Sequence, residues 1–160
     1  MPTLQEKLIA KYGNPMSDRI GFEKRHMTAL NYPTDITEKL PILGKSVYCN
    51  KDFVGPYLEL LKTWIRRGLH TEIHSNDQCF IVRYIRGQEL QKNLSIHSWG
   101  LAIDFNIPDN PLGLSRIQAL GLGLHPFSEQ FQQAARDADF VAGIDFGRKD
   151  GMHFEYTKHY

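Results

Sequence analysis

The stretch SIHSWGLAIDFNI, Ser95–Ile107, changes character half-way along. From Leu101 onward apolar and other side chains alternate: Leu101, Ile103, Phe105 and Ile107 fall on one face, Ala102, Asp104 and Asn106 on the other. A period of two marks a strand with one buried face, and Asp109-Asn110-Pro111 ends it. Gly100 permits a sharp entry into that strand, which could return His97 to the side of Asp104. Working outward, strands are expected at 69–75, 79–85 and 152–156; in the last, Met152, Phe154 and Tyr156 lie on one face, His153 and Glu155 on the other. A helix is predicted over 53–67, where Tyr57, Leu60, Leu61, Trp64 and Ile65 repeat at helical spacing. Pro56 is read in its first turn and Gly68 at its close. Others start at Thr3, with Glu6 completing a capping box, and at Ser128, running through Phe131, Ala134, Ala135 and Ala138. Strands in the middle and at the end with helices between them predict an α+β fold with a small, mainly antiparallel sheet.

The 160 residues suit one domain, divided into an N-terminal helix and irregular segment (1–50) and a core (51–160). Residues 14–51 carry Pro15, Pro33 and Pro41 and little periodicity, so turns, extended pieces and one short strand are expected there. An apolar fraction of 41% with 23% charged residues excludes disorder. The 19 basic residues nearly balance the 18 acidic ones for a net charge of +1, which argues against a nucleic-acid partner. No stretch is long and apolar enough for a membrane span. The N-terminus has no signal-peptide pattern, so a soluble protein made in the cytoplasm is expected. Cys49 and Cys79 are too few for a disulfide scaffold; whether they pair stays open.

Alternation turns Asp104 and His153 away from the apolar faces of their strands. With His97 they would make a three-ligand zinc site whose fourth position is open, the arrangement of a catalytic zinc. The competing reading is that these are ordinary polar positions on outer faces. The pattern Ser95-Ile96-His97-Ser98-Trp99-Gly100-Leu101-Ala102-Ile103-Asp104 resembles the S-x-H-x-x-G-x-A-x-D signature of the VanY-like metallopeptidases, and Asp150-Gly151-Met152-His153 resembles their second signature. Phe80–Gly87 is similar to the arginine-bearing stretch that precedes the first signature in phage-type members. The resemblance runs over about residues 68–156. It implies a hedgehog/D,D-peptidase type of α+β domain, Zn2+ held by His97, Asp104 and His153, and Asp150 as the catalytic carboxylate. Arg83 is the first choice for steadying an oxyanion or gripping a substrate carboxylate, with Arg86 second; Ser95 is assigned to the substrate. Carboxypeptidase members often carry Glu and Trp where this chain has Asp150 and Met152, which leans toward the L-alanyl-D-glutamate endopeptidases of phage endolysins. Bacterial peptidoglycan is the implied partner, reached after holin-mediated release, and the protein is expected to be a monomer.

Asp150 and His153 differ in parity, and Gly151 is read as the loop that corrects this. Three features are ascribed to no site: His70-x-Glu72-x-His74 reads as an exposed polar face, Gly121-Leu122-Gly123 lacks the rest of a nucleotide loop, and His26, His125 and His159 have no partners. Two stay open. Trp99 either lines a groove or packs beside a turn, and Glu155 either holds a ligand histidine or faces solvent. The competing functions are a D,D-carboxypeptidase with the same zinc site and a non-catalytic zinc-bearing wall-binding or phage structural module. A general base such as Asp150 has no use in the second.

Overall fold

The computed structural model describes residues 1–160. Helix α1 (Leu4–Tyr12) begins with the predicted capping box: Thr3 Oγ1 accepts the Glu6 N–H, and the Glu6 carboxylate accepts the Thr3 N–H at 2.7 Å. Residues 14–51 hold more order than the sequence suggests. Helix α2 (Arg19–His26) is capped by the Asp18 side chain and buries only Phe22, so no apolar stripe announces it. Strands β1 (Met27–Asn31) and β2 (Ser46–Asn50) pair antiparallel, with Met27 opposite Asn50 and Asn31 opposite Ser46. The one-turn helix α3 (Thr34–Thr37) lies in their connection.

Helix α4 (Lys51–Arg66) starts two residues earlier than predicted, because the Asn50 side chain accepts the Asp52 N–H and caps it. Pro56 therefore lies inside the helix rather than in its first turn, where its missing N–H leaves one helical bond unmade. The far end closes as expected. Gly68 takes φ +69°, its N–H donates to Ile65 O at 3.0 Å, and the Leu69 N–H donates to Trp64 O at 2.8 Å.

Neither 69–75 nor 79–85 is a regular strand. His70–Glu72 is a 3-10 turn, and Asn106 supplies the partners a neighbouring strand would have: Oδ1 accepts the N–H groups of His74 and Ser75, and Nδ2 donates to Glu72 O. Residues 79–85 are satisfied piecemeal. The Ile81 N–H donates to His97 O, the Arg83 N–H to Ser98 Oγ and the Ile85 N–H to Asn93 O. β-prone composition describes the side chains here, while the backbone finds no ladder.

Strand β3 (Ala102–Asp104) is shorter than the predicted 101–107 because Asn106 takes a left-handed conformation, φ +48°. After it come α5 (Arg116–Gly121), α6 (Glu129–Asp137), β4 (Val141–Ala142) and β5 (His153–Glu155). Ser128 caps α6 as the sequence predicts, and β5 falls within the expected strand. The second sheet has the order β3-β5-β4, antiparallel throughout, and its register sets Asp104 directly opposite His153. The fold is thus α+β, with two small antiparallel sheets.

A core of 32 buried apolar residues runs continuously from Leu8 to Phe154. At its centre Phe131 stacks between Trp64 and Phe127, with ring centroids 4.2 and 4.0 Å away. Cys49 and Cys79 are buried and free.

Candidate metal centre

His97 is carried by the 3-10 turn Ile96–Trp99. The turn ends at Gly100, whose left-handed backbone (φ +66°, ψ +30°) starts β3 sharply. Only glycine fits there. A Cβ would stand 2.8 Å from the Asn50 backbone nitrogen and 2.8 Å from the end of Met27. The turn is braced from below by Ser98, buried, whose hydroxyl accepts the Arg83 N–H and faces the carbonyls of Ile81 and Arg83. Trp99 packs rather than lining a groove: it is fully buried, and its Nε1–H donates to Gly13 O at 3.0 Å.

The buried His97 ring donates Nδ1–H to Cys79 O at 3.0 Å, which leaves Nε2 facing Asp104 Oδ1 at 3.2 Å. His153 is held the other way round. Its Nε2–H donates to Glu155 Oε2 at 2.9 Å, so Nδ1 faces Asp104 Oδ1, also at 2.9 Å. Glu155 therefore holds the histidine, and Thr157 donates to its second oxygen at 2.7 Å. The signal was in the sequence, since residues two apart on a strand share a face. In each imidazole the nitrogen away from Asp104 has its own acceptor, so the tautomer is set once the near nitrogen gives up its proton to bind a metal, the usual preparation of a metal-binding histidine. The donor atoms of His97, Asp104 and His153 all lie within 4.8 Å of one another. Two imidazoles and a carboxylate are ligands that zinc accepts. The residues fit the metal.

Burial pushes the Asp104 carboxyl up, but its contacts with His153 and His97 outweigh that and hold it well below the usual carboxylate range. For His153 burial lowers the imidazolium pKa, while the bonds to Asp104 and Glu155 raise it further, up to about 10. Without metal, His153 is accordingly protonated at pH 7, and a metal must displace that proton. Zinc binding at pH 7 is expected to release about one proton. Its apparent affinity should rise roughly tenfold per pH unit between neutrality and pH 10. Titration calorimetry in buffers of different ionisation enthalpy measures the release; a buffer-independent heat would refute it.

Asp104 and His153 line a cleft of about 370 Å³, together with Asp150, Arg83, Arg86 and Ser95. The structure thus brings every sequence-predicted site residue to one cavity, His97 backing it from inside the core. The Asp150 carbonyl accepts the His153 N–H at 3.1 Å in a tight turn, and this turn reconciles their parity. Gly151 is not left-handed; it is small so that Asn110 can approach, 3.3 Å from where a Cβ would stand. One Asp150 carboxylate oxygen is buried without a hydrogen-bond partner. Burial raises the pKa of that carboxyl.

Gly143, which the sequence did not single out, packs beneath this turn. A Cβ there would overlap the Asp150 carbonyl oxygen and stand 3.0 Å from the Cβ atoms of Asp150 and His153. None of these atoms is the end of a flexible side chain. Gly143→Ala should cost about 1–3 kcal/mol by overpacking, or roughly 2–12 °C in melting temperature, and weaken zinc binding. Thermal melts and zinc titration check this, and a variant with unchanged melting and affinity would contradict the packing argument.

Residues 89–156, which span both signatures, match the family model described as D-alanyl-D-alanine carboxypeptidase. The match covers less than half of the chain, and over this stretch the chain is similar to that family. The matched segment contains all three potential metal ligands and Asp150, while Arg83, Arg86 and the turn that braces His97 from Cys79 lie before its start. No curated protein and no solved structure matches the chain. The activity that this description names is a carboxypeptidase's, and no helix is long and apolar enough to cross a membrane.

Proposed function

We propose that the protein is a zinc-dependent peptidase that cuts the peptide stems of bacterial peptidoglycan. In this reading His97, Asp104 and His153 hold the zinc, Asp150 moves the proton, Arg83 steadies the developing oxyanion, and Arg86 and Ser95 contact substrate. The observation that carries it is the convergence of a tautomer-fixed His-Asp-His set and an unpartnered buried Asp150 oxygen on one cleft. A zinc ion supplies Lewis acidity, polarising the peptide carbonyl and readying water for attack near neutral pH. The Asp150 carboxylate takes the proton of the attacking water and gives it to the leaving amine nitrogen. Its buried, unsatisfied oxygen suits that task, because burial makes it a stronger base than a surface aspartate. Arg83 lies near enough to lower the Asp150 pKa in opposition to burial, and the Ser98 hydroxyl fixes its backbone.

The finer reading is a phage endolysin with L-alanyl-D-glutamate endopeptidase activity, reaching the wall after a holin opens the membrane and working as a monomer. Asp150 and Met152, in place of Glu and Trp, favour it. The description of the matched family favours a D,D-carboxypeptidase as the second reading. Mass spectrometry of muropeptides after digestion by zinc-loaded protein separates them. New D-glutamyl amino termini mark the endopeptidase, and release of D-alanine marks the carboxypeptidase. Unchanged muropeptides would refute both.

A further inference from the structure

The chain has nine arginines, and five of them, Arg19, Arg25, Arg66, Arg67 and Arg136, are ion-paired. Of the four without a carboxylate partner, three line the cleft: Arg83, Arg86 and Arg148. Arg148 is exposed, and it sits on the loop between Gly143 and Asp150 that carries the proposed base. Its Nη1 donates to the Arg86 carbonyl at 2.7 Å, which ties the loop to the turn beginning at Arg86. Gly87 is suited to this turn by its backbone rather than by its size. Its backbone is left-handed (φ +81°), and a Cβ would stand 3.4 Å from Arg148 Nη1.

The acids nearby are otherwise occupied. Both Asp145 oxygens accept from Arg136 at 2.8 Å, and Glu89 accepts the Gly87 N–H at 3.0 Å. Neither Arg86 nor Arg148 has a carboxylate within ion-pair distance; Glu89, near enough for its charge to act on Arg148, stays with the Gly87 N–H, and two cationic side chains that line one cleft without an ion-pair partner welcome an anion. Ile85, Ile107, Leu112 and Phe146 line the same cleft and strip water from whatever binds there, which strengthens a charge-assisted bond.

We propose that Arg148 and Arg86 form an anion subsite that receives a free carboxylate of the peptide substrate, distinct from the carbonyl being attacked. The proposal rests on the peptidase reading for its substrate class. A guanidinium fork suits a carboxylate, and the fork positions Arg148 as a specificity residue while Arg83 stays with the reacting carbonyl. On a peptidoglycan stem with lysine in third place two carboxylates qualify, the α-carboxylate of the isoglutamyl residue and the C-terminal one.

The test uses one synthetic stem peptide in three forms: both carboxylates free, the isoglutamyl carboxylate amidated, and the C-terminal carboxylate amidated. Binding is read by NMR titration of metal-free protein, where no hydrolysis interferes, and KM and kcat are read on zinc-loaded protein. Wild type should bind the free form about ten- to a hundredfold more tightly than one of the amides, and that amide names the carboxylate. Arg148→Gln should erase the difference through Kd and KM, Arg148→Lys should keep part of it, and zinc content should not change. Wild type that binds all three forms equally, or Arg148→Gln that keeps the full preference, overturns the subsite. Discrimination lost in Arg148→Gln without hydrolysis of any form would instead refute the peptidase and leave the subsite standing.

Discussion

The Asp150→Asn protein is expected to bind zinc with wild-type stoichiometry and to hydrolyse murein about 10²–10⁴ times more slowly, the usual cost of losing a general base. Asparagine keeps the size of the side chain and leaves the turn that sets His153 in place, since that turn uses the Asp150 carbonyl rather than its carboxylate. The same substitution should stabilise the metal-free fold at neutral pH. Burial raises the folded-state pKa of Asp150 above its unfolded value, so the ionised side chain costs stability once the pH exceeds the folded pKa. The cost vanishes below the unfolded pKa. Melting curves at pH 7 and at acid pH should therefore diverge between the two proteins only at the higher pH. Loss of zinc in Asp150→Asn would make Asp150 a ligand, and retention of full activity would place the base elsewhere.

His153→Ala is expected to lose both zinc and activity, and also stability. In the metal-free protein the protonated imidazole lies between Asp104 and Glu155, with both contacts at 2.9 Å and all three groups largely buried. Removing it leaves two acids in the interior without their shared partner. Breaking a buried pair on one side costs about 3–5 kcal/mol, which corresponds to roughly 6–20 °C in melting temperature for a chain of this size. Metal analysis and melting of the chelator-treated proteins check the two parts separately. A zinc-replete His153→Ala protein would refute the ligand assignment, and an unchanged metal-free melt would refute the account of the buried trio.

The parts of the fold legible in the sequence were those where one local signal settles the matter. Helix α4 announces itself by a full stripe from Phe53 to Trp64, α1 and α6 by Thr3 and Ser128 at their caps, and β5 by strict alternation. Where side chains and backbone answer to different partners, the reading failed. Residues 79–85 have the composition of a central strand, yet a serine hydroxyl and scattered carbonyls take the place of a ladder. Residues 69–75 alternate, yet the Asn106 amide, far along the chain, holds them in a 3-10 turn. Helix α2 has Phe22 as its single buried residue, which no periodicity can reveal. At the site, ligand spacing and strand parity picked out His97, Asp104 and His153. Arg148 and Gly143 stayed hidden because each matters through what a loop brings beside it.

The first fifty residues bear on how far the site can be moved. Gln5 exchanges two hydrogen bonds with the Leu94 backbone, Gly13 O receives the Trp99 indole, and Asn50 holds both Trp99 O and Gly100 O. These contacts brace the turn that carries His97 on the side facing away from the cleft. A graft of residues 89–156 onto a wall-binding module would carry both signatures and none of this scaffolding, leaving the Trp99 indole and the carbonyls of Trp99 and Gly100 without their partners. Anyone shuffling this site between targeting modules should make the cut ahead of Thr3, because the stretch that matches the family is not a transferable cassette.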